Sequence, residues 1–437
     1  MATKRRHIVI VGGGFGGIAT ANSLKNADAD VTIIDKYNHH LFQPLLYLVA
    51  TASLSPGDIA APIRAILGKN SKINVIMEEV KAIRAEENTL LLSDGRLIAF
   101  DQLVLAIGAQ YNYFGHEEWA EYAPGLKSIS DALKIREKIL LSMEEAEQVQ
   151  DVILRKPLLT YAIIGGGPTG VEMAGAIAEI AKSSIMNGYR NINPKDIDIY
   201  LIEAGPRILN AFPESLGEAA KNMLIKLGVK VLLNTPVTKI EKDTVHINTE
   251  SIKASNIIWA AGIKAPKLLN TLDVEQDRVG RILVNPNLSI PKYPNIFVIG
   301  DSAHLEDKKG IPLPALAPVA TQQGKFLGKL LAESHLTGSD RHVFKYLDKG
   351  TMATIGRAKA VADIRGLKFS GIFAWFLWSF IHILSLIGFR NRARVFVEWI
   401  WNFFTFKRGV RLITDRSGYE DSNTHGESAT KSVEYHT

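Results

Sequence analysis

Two stretches of this chain repeat one pattern about 150 residues apart. Val9 opens "VIVGGGFGGIATANSL" and Ala162 opens "AIIGGGPTGVEMAGAI". Each runs from an apolar strand through spaced glycines into a helix. The spaced glycines are Gly12, Gly14 and Gly17 in the first, and Gly165, Gly167 and Gly170 in the second. The first glycine of such a set permits a tight turn after the strand. The second lets backbone approach a pyrophosphate, and the third lets helix and strand pack closely. A phosphate then sits at the helix N-terminus, where free N–H groups and the helix dipole favour negative charge. Two such cradles constrain the chain to two parallel α/β units, each built for one dinucleotide.

An acid closes each unit. Asp35 lies 18 residues beyond Gly17, at the end of the next strand, where it can accept hydrogen bonds from a ribose hydroxyl. Glu203 ends "IDIYLIEAG", 33 residues beyond Gly170, and the extra length falls in the loop "NGYRNINPKD". Its charge repels the 2′-phosphate of NADPH and so favours NADH, while Arg207 close by works the other way. Side by side, the cradles read as one site for a resident flavin dinucleotide and one for a transient nicotinamide dinucleotide. Hydride transfer then becomes a matter of positioning.

The rest of the chain fits around these units. His7–Val11 and Val31–Asp35 read as strands, as does "FDQLVLAIGAQ", which ends near Gly108. A polar, helix-rich stretch up to Gln150 reads as a connecting helix. The second unit runs from Leu158 past Glu203 to "NIIWAAGIKA", and the chain returns to the first unit at Asn295–His304. The expected division is residues 1–115 with 275–335 for the flavin and 116–274 for the nicotinamide nucleotide. A C-terminal membrane-associating helical region spans 340–416, with a disordered tail at 417–437. The fold class is α/β: two Rossmann-like units and that helical segment.

There is no cysteine. Disulfides, thiolate metal sites, iron–sulfur clusters and cysteine nucleophiles are excluded together, so redox chemistry must ride on a bound cofactor. His39 and His40 have no companions at metal-ligand spacing; they read as loop surface and no metal site is expected. The start, "MATKRRHIVIVGGG", lacks a long apolar stretch, which places the chain's start in the cytosol.

Of the net charge of +6, residues Arg357–Arg416 carry +8, from 11 Lys/Arg against 3 Asp/Glu. An anionic membrane surface suits this patch better than nucleic acid. Within it, Gly371–Phe389 has 19 residues without a formal charge. Ser379, His382 and Ser385 share a stripe with Trp375 and Trp378 at its edge, which favours a helix lying in the interface over one that spans. Arg390, Arg392 and Arg394 suit lipid phosphates. "VFVEWIWNFFTF" before Lys407 and Arg408 offers a second anchor, so residues 371–411 read as the bilayer-facing surface. Such helices can also pair two subunits.

Four elements in order, "VIVGGGFGG", "LVLAIGA", "IIGGGPTGVE" and "IFVIGD", resemble the flavoprotein superfamily with two dinucleotide-binding domains. Lack of cysteine separates the chain from its disulfide reductases and sulfide:quinone oxidoreductases. "HHLFQPLLYLVATASLSP", "MATIGRAKAVAD" and "LIGFRNRARVFVEWIWNFFTFKRGVRLIT" resemble type II NADH dehydrogenase, the single-subunit NADH:quinone oxidoreductase. That resemblance implies non-covalent FAD, with Asp301 on the ribityl chain. It puts Gly13, Phe15, Gly16, Gln43, Val80, Gly108 and Ala320 on the flavin side and Gly262 near the nicotinamide. It implies hydride transfer from NADH to FAD and two-electron reduction of a membrane quinone, without proton pumping, at the cytoplasmic face of the cell membrane.

One departure stands out. The family's quinone-side motif A-Q-x-A-x-Q meets "APVATQQG", in which Pro318 replaces the first glutamine and Gln322 is left as the amide for a quinone carbonyl. Gln322 could equally be satisfied by backbone. Glu172 is either an acid favoured by the helix dipole or, as the family implies, a group that tunes charge or relays a proton in quinone reduction, with Lys359 as a basic partner. Phe42 and Tyr47 either line a quinone tunnel or belong to the core. The rival readings are a soluble ferredoxin- or rubredoxin-type reductase and an NADH-sensing flavoprotein of the apoptosis-inducing-factor kind.

Overall fold

The apolar run before each glycine set becomes the central strand of a parallel sheet. The computed structural model describes residues 5–68, 72–185, 188–333, 343–405 and 412–413. In the first unit β1 (Arg6–Val11) leads into α1 (Phe15–Ser23), followed by β2 (Ala29–Asp35), β3 (Ile73–Met77) and β4 (Gln102–Leu105). β1 lies between β2 and β4 in parallel register, with Ile10 opposite Ile33 and Val104. Ile8, Val9 and Ile10 are fully buried, because a parallel strand covered on both faces carries apolar side chains on both.

The connecting helix α2 (Ile129–Gln148) begins with a reciprocal cap. The Ser128 hydroxyl accepts from Asp131 N at 3.1 Å, and Asp131 accepts from Ser128 N at 2.8 Å. The second unit repeats the first: β5 (Thr160–Ile164), α3 (Pro168–Ile185), β6 (Asp198–Ile202), β7 (Val229–Leu232) and β8 (Asn256–Trp259). β5 lies between β6 and β8, again in parallel. The chain then returns to the first sheet. β9 (Ile296–Val298) pairs with β4, giving the strand order β9-β4-β1-β2-β3.

After β9, α4 (Ala317–Ala332) crosses α1 at close range. A Cβ on Gly324 would come within 2.3 Å of the Gly16 carbonyl oxygen, and one on Gly328 within 2.8 Å of the Thr20 oxygen. Glycine at these two positions lets the helix backbones nearly touch.

The C-terminal region differs from expectation in three respects. It opens with an antiparallel sheet, β10 (Thr351–Gly356), β11 (Lys359–Ile364) and β12 (Leu367–Gly371), where a helical segment was expected. Ala358 and Arg365, both with left-handed φ, form its turns. The uncharged run then forms α5 (Ile372–Ser385), only 14 residues long, and Gly388 at φ 88° redirects the chain into α6 (Phe389–Thr405). Among the described residues no helix is long and apolar enough to cross a membrane.

The polar stripe of α5 also lies differently from a plain water-facing edge. Trp378 and Ser379 are buried, and the Trp378 ring stacks on His382 at 4.3 Å and on Trp399 of α6 at 5.3 Å. The polar stripe is therefore inward at Trp378 and Ser379 but exposed at Ser385, and Phe373, Phe376, Phe380 and Leu384 point outward. Two of the arginines differ as well, the Arg390 side chain lying outside the described residues. Arg394 Nε pairs with the fully buried Asp58 carboxylate at 3.1 Å, and Arg392 Nε donates to the Leu386 carbonyl at 2.8 Å. They fasten α6 to the protein. Lys407, Arg408 and the tail lie outside the described residues.

Candidate active site

The two cradles match bond for bond. Gly12 and Gly165 have φ of 106° and 109°, a region open to glycine. A Cβ on Gly17 would lie 1.8 Å from the Gly12 oxygen, and one on Gly170 1.9 Å from the Gly165 oxygen. At Gly14 and Gly167 a Cβ would meet nothing within 4 Å. The chain leaves that space open where a pyrophosphate would lie, and no side chain caps α1 to take its first-turn N–H groups.

The acids match too. Asp35 accepts from Gly13 N at 2.5 Å and from Tyr37 N at 2.7 Å. Glu203 accepts from Gly166 N at 2.6 Å and from Gly205 N at 2.7 Å. Burial raises the Asp35 carboxyl above its ordinary value, opposed by these N–H donors. Each acid thus braces the middle glycine of its loop at the end of its strand. Arg207 spends its guanidinium on the carbonyls of Asn210 and Phe212 at 3.0 and 3.4 Å.

His40 is not surface, as its loop position suggested. It is buried at 2% exposure, and its Nδ1 donates to the Gly13 carbonyl at 3.1 Å. In the second cradle the backbone N–H of Leu209 does the same for Gly166 at 2.8 Å. His40 also meets the ring of Phe15 edge-on at 5.0 Å, and Phe42 meets it at 5.7 Å. Burial holds the His40 imidazole below its usual pKa, hence neutral. The His39 ring meets the Asn38 side-chain oxygen at 3.0 Å and the Tyr37 ring at 5.5 Å. Among the described residues no group of three potential metal ligands forms a site.

The units meet where their sheets end. Gly108 after β4 and Gly262 after β8 have φ of 67° and 70°. Each leads into a short strand, Gln110–Tyr111 and Ile263–Lys264, and these pair antiparallel. The Phe114 ring covers Gly262, where a Cβ would come within 2.6 Å of it. The Gly108 carbonyl accepts from Ser302 Oγ at 2.6 Å, which brings the Gly300–Ser302 turn and Asp301 to the same place. Burial raises the Asp301 carboxyl, opposed by the charges of Lys127 and Arg281. Gln43 Nε2 donates to the Lys127 carbonyl at 3.1 Å. Ala320 packs against Gly300, where a Cβ would stand 3.2 Å from the alanine Cβ. Val80 is buried with Val11 and Ile34 beneath the first sheet.

On the second unit, Glu172 rises from the first turns of α3. Its Oε1 lies 3.5 Å from Thr354 N on β10, and burial pushes its carboxyl up to about 8. The Thr354 hydroxyl donates to the carbonyl of Lys359, so Lys359 is a neighbour through its backbone. α3 reaches this sheet because Gly175 has no side chain; a Cβ there would lie 1.8 Å from the Ile355 oxygen.

Gln322 has its amide engaged: Nε2 donates to Leu347 O and Oε1 accepts from Leu347 N, both at 3.0 Å. Pro318 falls in the first turn of α4, where a missing N–H costs no helical bond. Its neighbour Gln323, which the sequence did not single out, is buried and accepts from Gly300 N at 2.6 Å. Phe42 and Tyr47 belong to the buried core. The structure thus gathers Gly12–Gly17, Asp35, Gln43, Gly108, Asp301 and Ala320 about one cradle, and Gly165–Gly170, Glu203 and Gly262 about the other. Sequence reasoning missed His40, Lys127 and Gln323, whose partners lie far away along the chain.

A family model described as pyridine nucleotide-disulphide oxidoreductase matches residues 6–324, and one described as the NDH2 C-terminal domain matches residues 349–408. The chain is 39% identical over 431 residues to the type II NADH:quinone oxidoreductase Ndh of Mycobacterium tuberculosis, covering 95% of this chain and 92% of that protein. It is 30% identical to the internal alternative NAD(P)H-ubiquinone oxidoreductase A1 of Arabidopsis thaliana mitochondria, covering 94% and 86%. Among solved structures, that of NDH2 from Plasmodium falciparum in complex with NADH has a TM-score of 0.85 at 23% identity, covering 94% of this chain and all of that one. That likeness is one of fold.

Proposed function

The chain belongs to the type II NADH:quinone oxidoreductases, and from that premise we propose how its parts divide the reaction. The first cradle holds FAD, non-covalently and as a resident; the second takes NADH in turn. The division into residues 1–115 with 275–335, 116–274 and 340–416 follows the same reading. The observation that carries it is the pair of matched cradles whose exits meet at Gly108 and Gly262. The residues of the first cradle fit FAD: space at Gly14, an uncapped helix, and at Asp301 a carboxylate with no donor of its own among the described residues.

Bound there, FAD would supply the two-electron chemistry that links NADH to a quinone. The chain's own contribution is placement and proton supply. Asp35 and Glu203 hold their glycine loops in shape, and the Glu203 carboxylate disfavours a 2′-phosphate. Glu172 holds a proton at a carboxyl that burial has tuned close to working pH, which suits a donor to a quinone gaining two electrons. Gln322 belongs to the quinone side of the site, with its amide held by the Leu347 backbone. Among the described residues no helix is long and apolar enough to carry a proton relay across a bilayer, and the reaction is read as free of proton pumping.

The outward phenylalanines of α5, with Phe396, Val397 and Trp401 of α6, form an apolar face. It suits peripheral attachment to the cytoplasmic face of a membrane that dissolves the quinone. Full-length protein should float with liposomes, and a Phe376→Asp/Phe380→Asp variant should stay with the soluble fraction; flotation of that variant would break the attachment.

Steady-state oxidation of NADH and NADPH, with a quinone and separately with ferricyanide, tests the whole reading. The expected result is NADH turnover with both acceptors, and NADPH slower by about tenfold, a difference of ~1.4 kcal/mol. Turnover with ferricyanide alone would remove the quinone site.

A further inference from the structure

Lys127 stands in the loop before α2 with its backbone fastened on two sides. The Gln43 amide donates to its carbonyl at 3.1 Å, and its N–H donates to Asp131 Oδ2 at 3.1 Å. The preceding residue, Leu126, donates its N–H to the Tyr111 hydroxyl. The origin of the side chain is therefore fixed against the flavin-side segment and against the ribbon that joins the units. The side chain is half-buried, and its ammonium sits over the Tyr111 ring, 5.7 Å from the centroid. Burial pulls the ammonium below its usual pKa, opposed by the charge of Asp301.

Among the described residues no carboxylate comes within ion-pair distance of the Lys127 ammonium, and no donor reaches Asp301. A half-buried ammonium without an anionic partner and a half-buried carboxylate without a donor are costly to keep. The two charges sense each other without closing into a salt bridge. A polar group that accepts from one and donates to the other satisfies both. A polyhydroxyl chain supplies the donors for Asp301. The acceptor-rich group beyond it in FAD is the pyrimidine edge of the flavin ring, because the phosphates belong to the N-terminus of α1.

We propose that the Lys127 ammonium contacts the pyrimidine edge of the flavin and stabilises the negative charge the ring gains on reduction, with Asp301 on the ribityl hydroxyls beside it. This rests on the reading of the first cradle as the FAD site. A cation at that edge makes the ring a better electron acceptor. It also favours sulfite addition, in which the sulfur lone pair bonds N5 and the electron pair moves onto the same edge.

The test compares purified full-length protein with Lys127→Met and Lys127→Arg by three readouts: bound flavin, sulfite titration of the oxidised flavin, and the two-electron midpoint potential. Lys127→Met is expected to weaken sulfite binding about tenfold and lower the potential by ~30 mV, the two-electron equivalent of tenfold; Lys127→Arg should restore most of both. If the unaltered protein forms no sulfite adduct, the potential alone decides. A Lys127→Met protein with full flavin content and an unchanged potential overturns the proposal. If Lys127→Met folds but emerges without flavin while Lys127→Arg keeps it, the ammonium contact is supported. Unaltered protein that carries no flavin would instead defeat the reading of the cradle itself, a separate and visible failure.

Discussion

Phe15 and Pro168 occupy the same step of the two cradles, and their surroundings are opposite. Phe15 is packed by His40 and Phe42, while Pro168 is exposed. One residue on, Gly16 is buried, with Ile299 2.9 Å from where its Cβ would stand, and its counterpart Thr169 is only half-buried. The first helix lies under α4; the second lies against β10. The bonding within each loop is the same, so the difference is in enclosure. A cradle walled in by three distant chain segments suits a ligand that stays, and one left open suits a ligand that exchanges. Duplication supplies the phosphate site, and later chain decides how long the occupant remains.

The hardest break in that comparison is a methyl group at Gly17 or Gly170, because each Cβ would meet backbone within 2 Å and no flexible side chain can yield. Overpacking of this kind costs roughly 1–3 kcal/mol or more. Gly17→Ala should be purified with most of its flavin gone. Gly170→Ala should keep its flavin and show a KM for NADH raised by about tenfold or more, since ~1.4 kcal/mol is tenfold. Flavin absorbance and NADH titration of the two proteins read this directly. Loss of flavin from Gly170→Ala alone would reverse the assignment.

The glycines and their acids were legible because their requirement is local. A turn with φ near +100° admits glycine whatever surrounds it, and a carboxylate at the end of the next strand lies beside it by topology. His40, Gln323 and Lys127 were not legible, since each meets a residue from 23 to 84 positions away. The C-terminal helices failed for another reason. A run that is apolar nearly all round offers only a thin polar stripe to read, and the stack of Trp378 on Trp399, not hydropathy, decides which side is inward. Arg394 likewise looked like a lipid ligand until Asp58 was placed beneath it.

A smaller, sharper difference sits one turn into each helix. Ala19 of α1 packs under α4, and the equivalent position of α3 is Glu172. Its carboxyl titrates at about 8, so it is protonated below that pH and charged above it. Quinone-dependent turnover should therefore fall as pH rises through about 8. Glu172→Gln should lower that turnover by about a hundredfold, the lower bound for general acid catalysis, and abolish the alkaline limb. Ferricyanide takes electrons without protons, so its rate should not change. A folded-state pKa above the unfolded value also means stability is present at acid pH and lost as pH rises from the ordinary carboxylate range through about 8. The melting temperature of Glu172→Gln should be flatter across that window, and a profile as steep as that of the unaltered protein would mean another group titrates.

The mildest difference is the bond to the middle glycine, made by the His40 side chain in one cradle and by the Leu209 backbone in the other. Only the first can be deleted by substitution. His40→Ala leaves the Gly13 carbonyl without its donor and should cost about 1–2 kcal/mol, visible as a lower urea midpoint with an unchanged slope. Burial keeps His40 neutral when folded, so its contribution is present above the ordinary imidazole pKa of 6.5 and lost as pH falls below it. His40→Ala should be less sensitive to acid over that window than the unaltered protein. Its flavin should dissociate several-fold more easily while its KM for NADH stays put, because the second cradle has no side chain in that role. An equal rise in the NADH KM would show that the two cradles are mechanically coupled through the ribbon between Gly108 and Gly262.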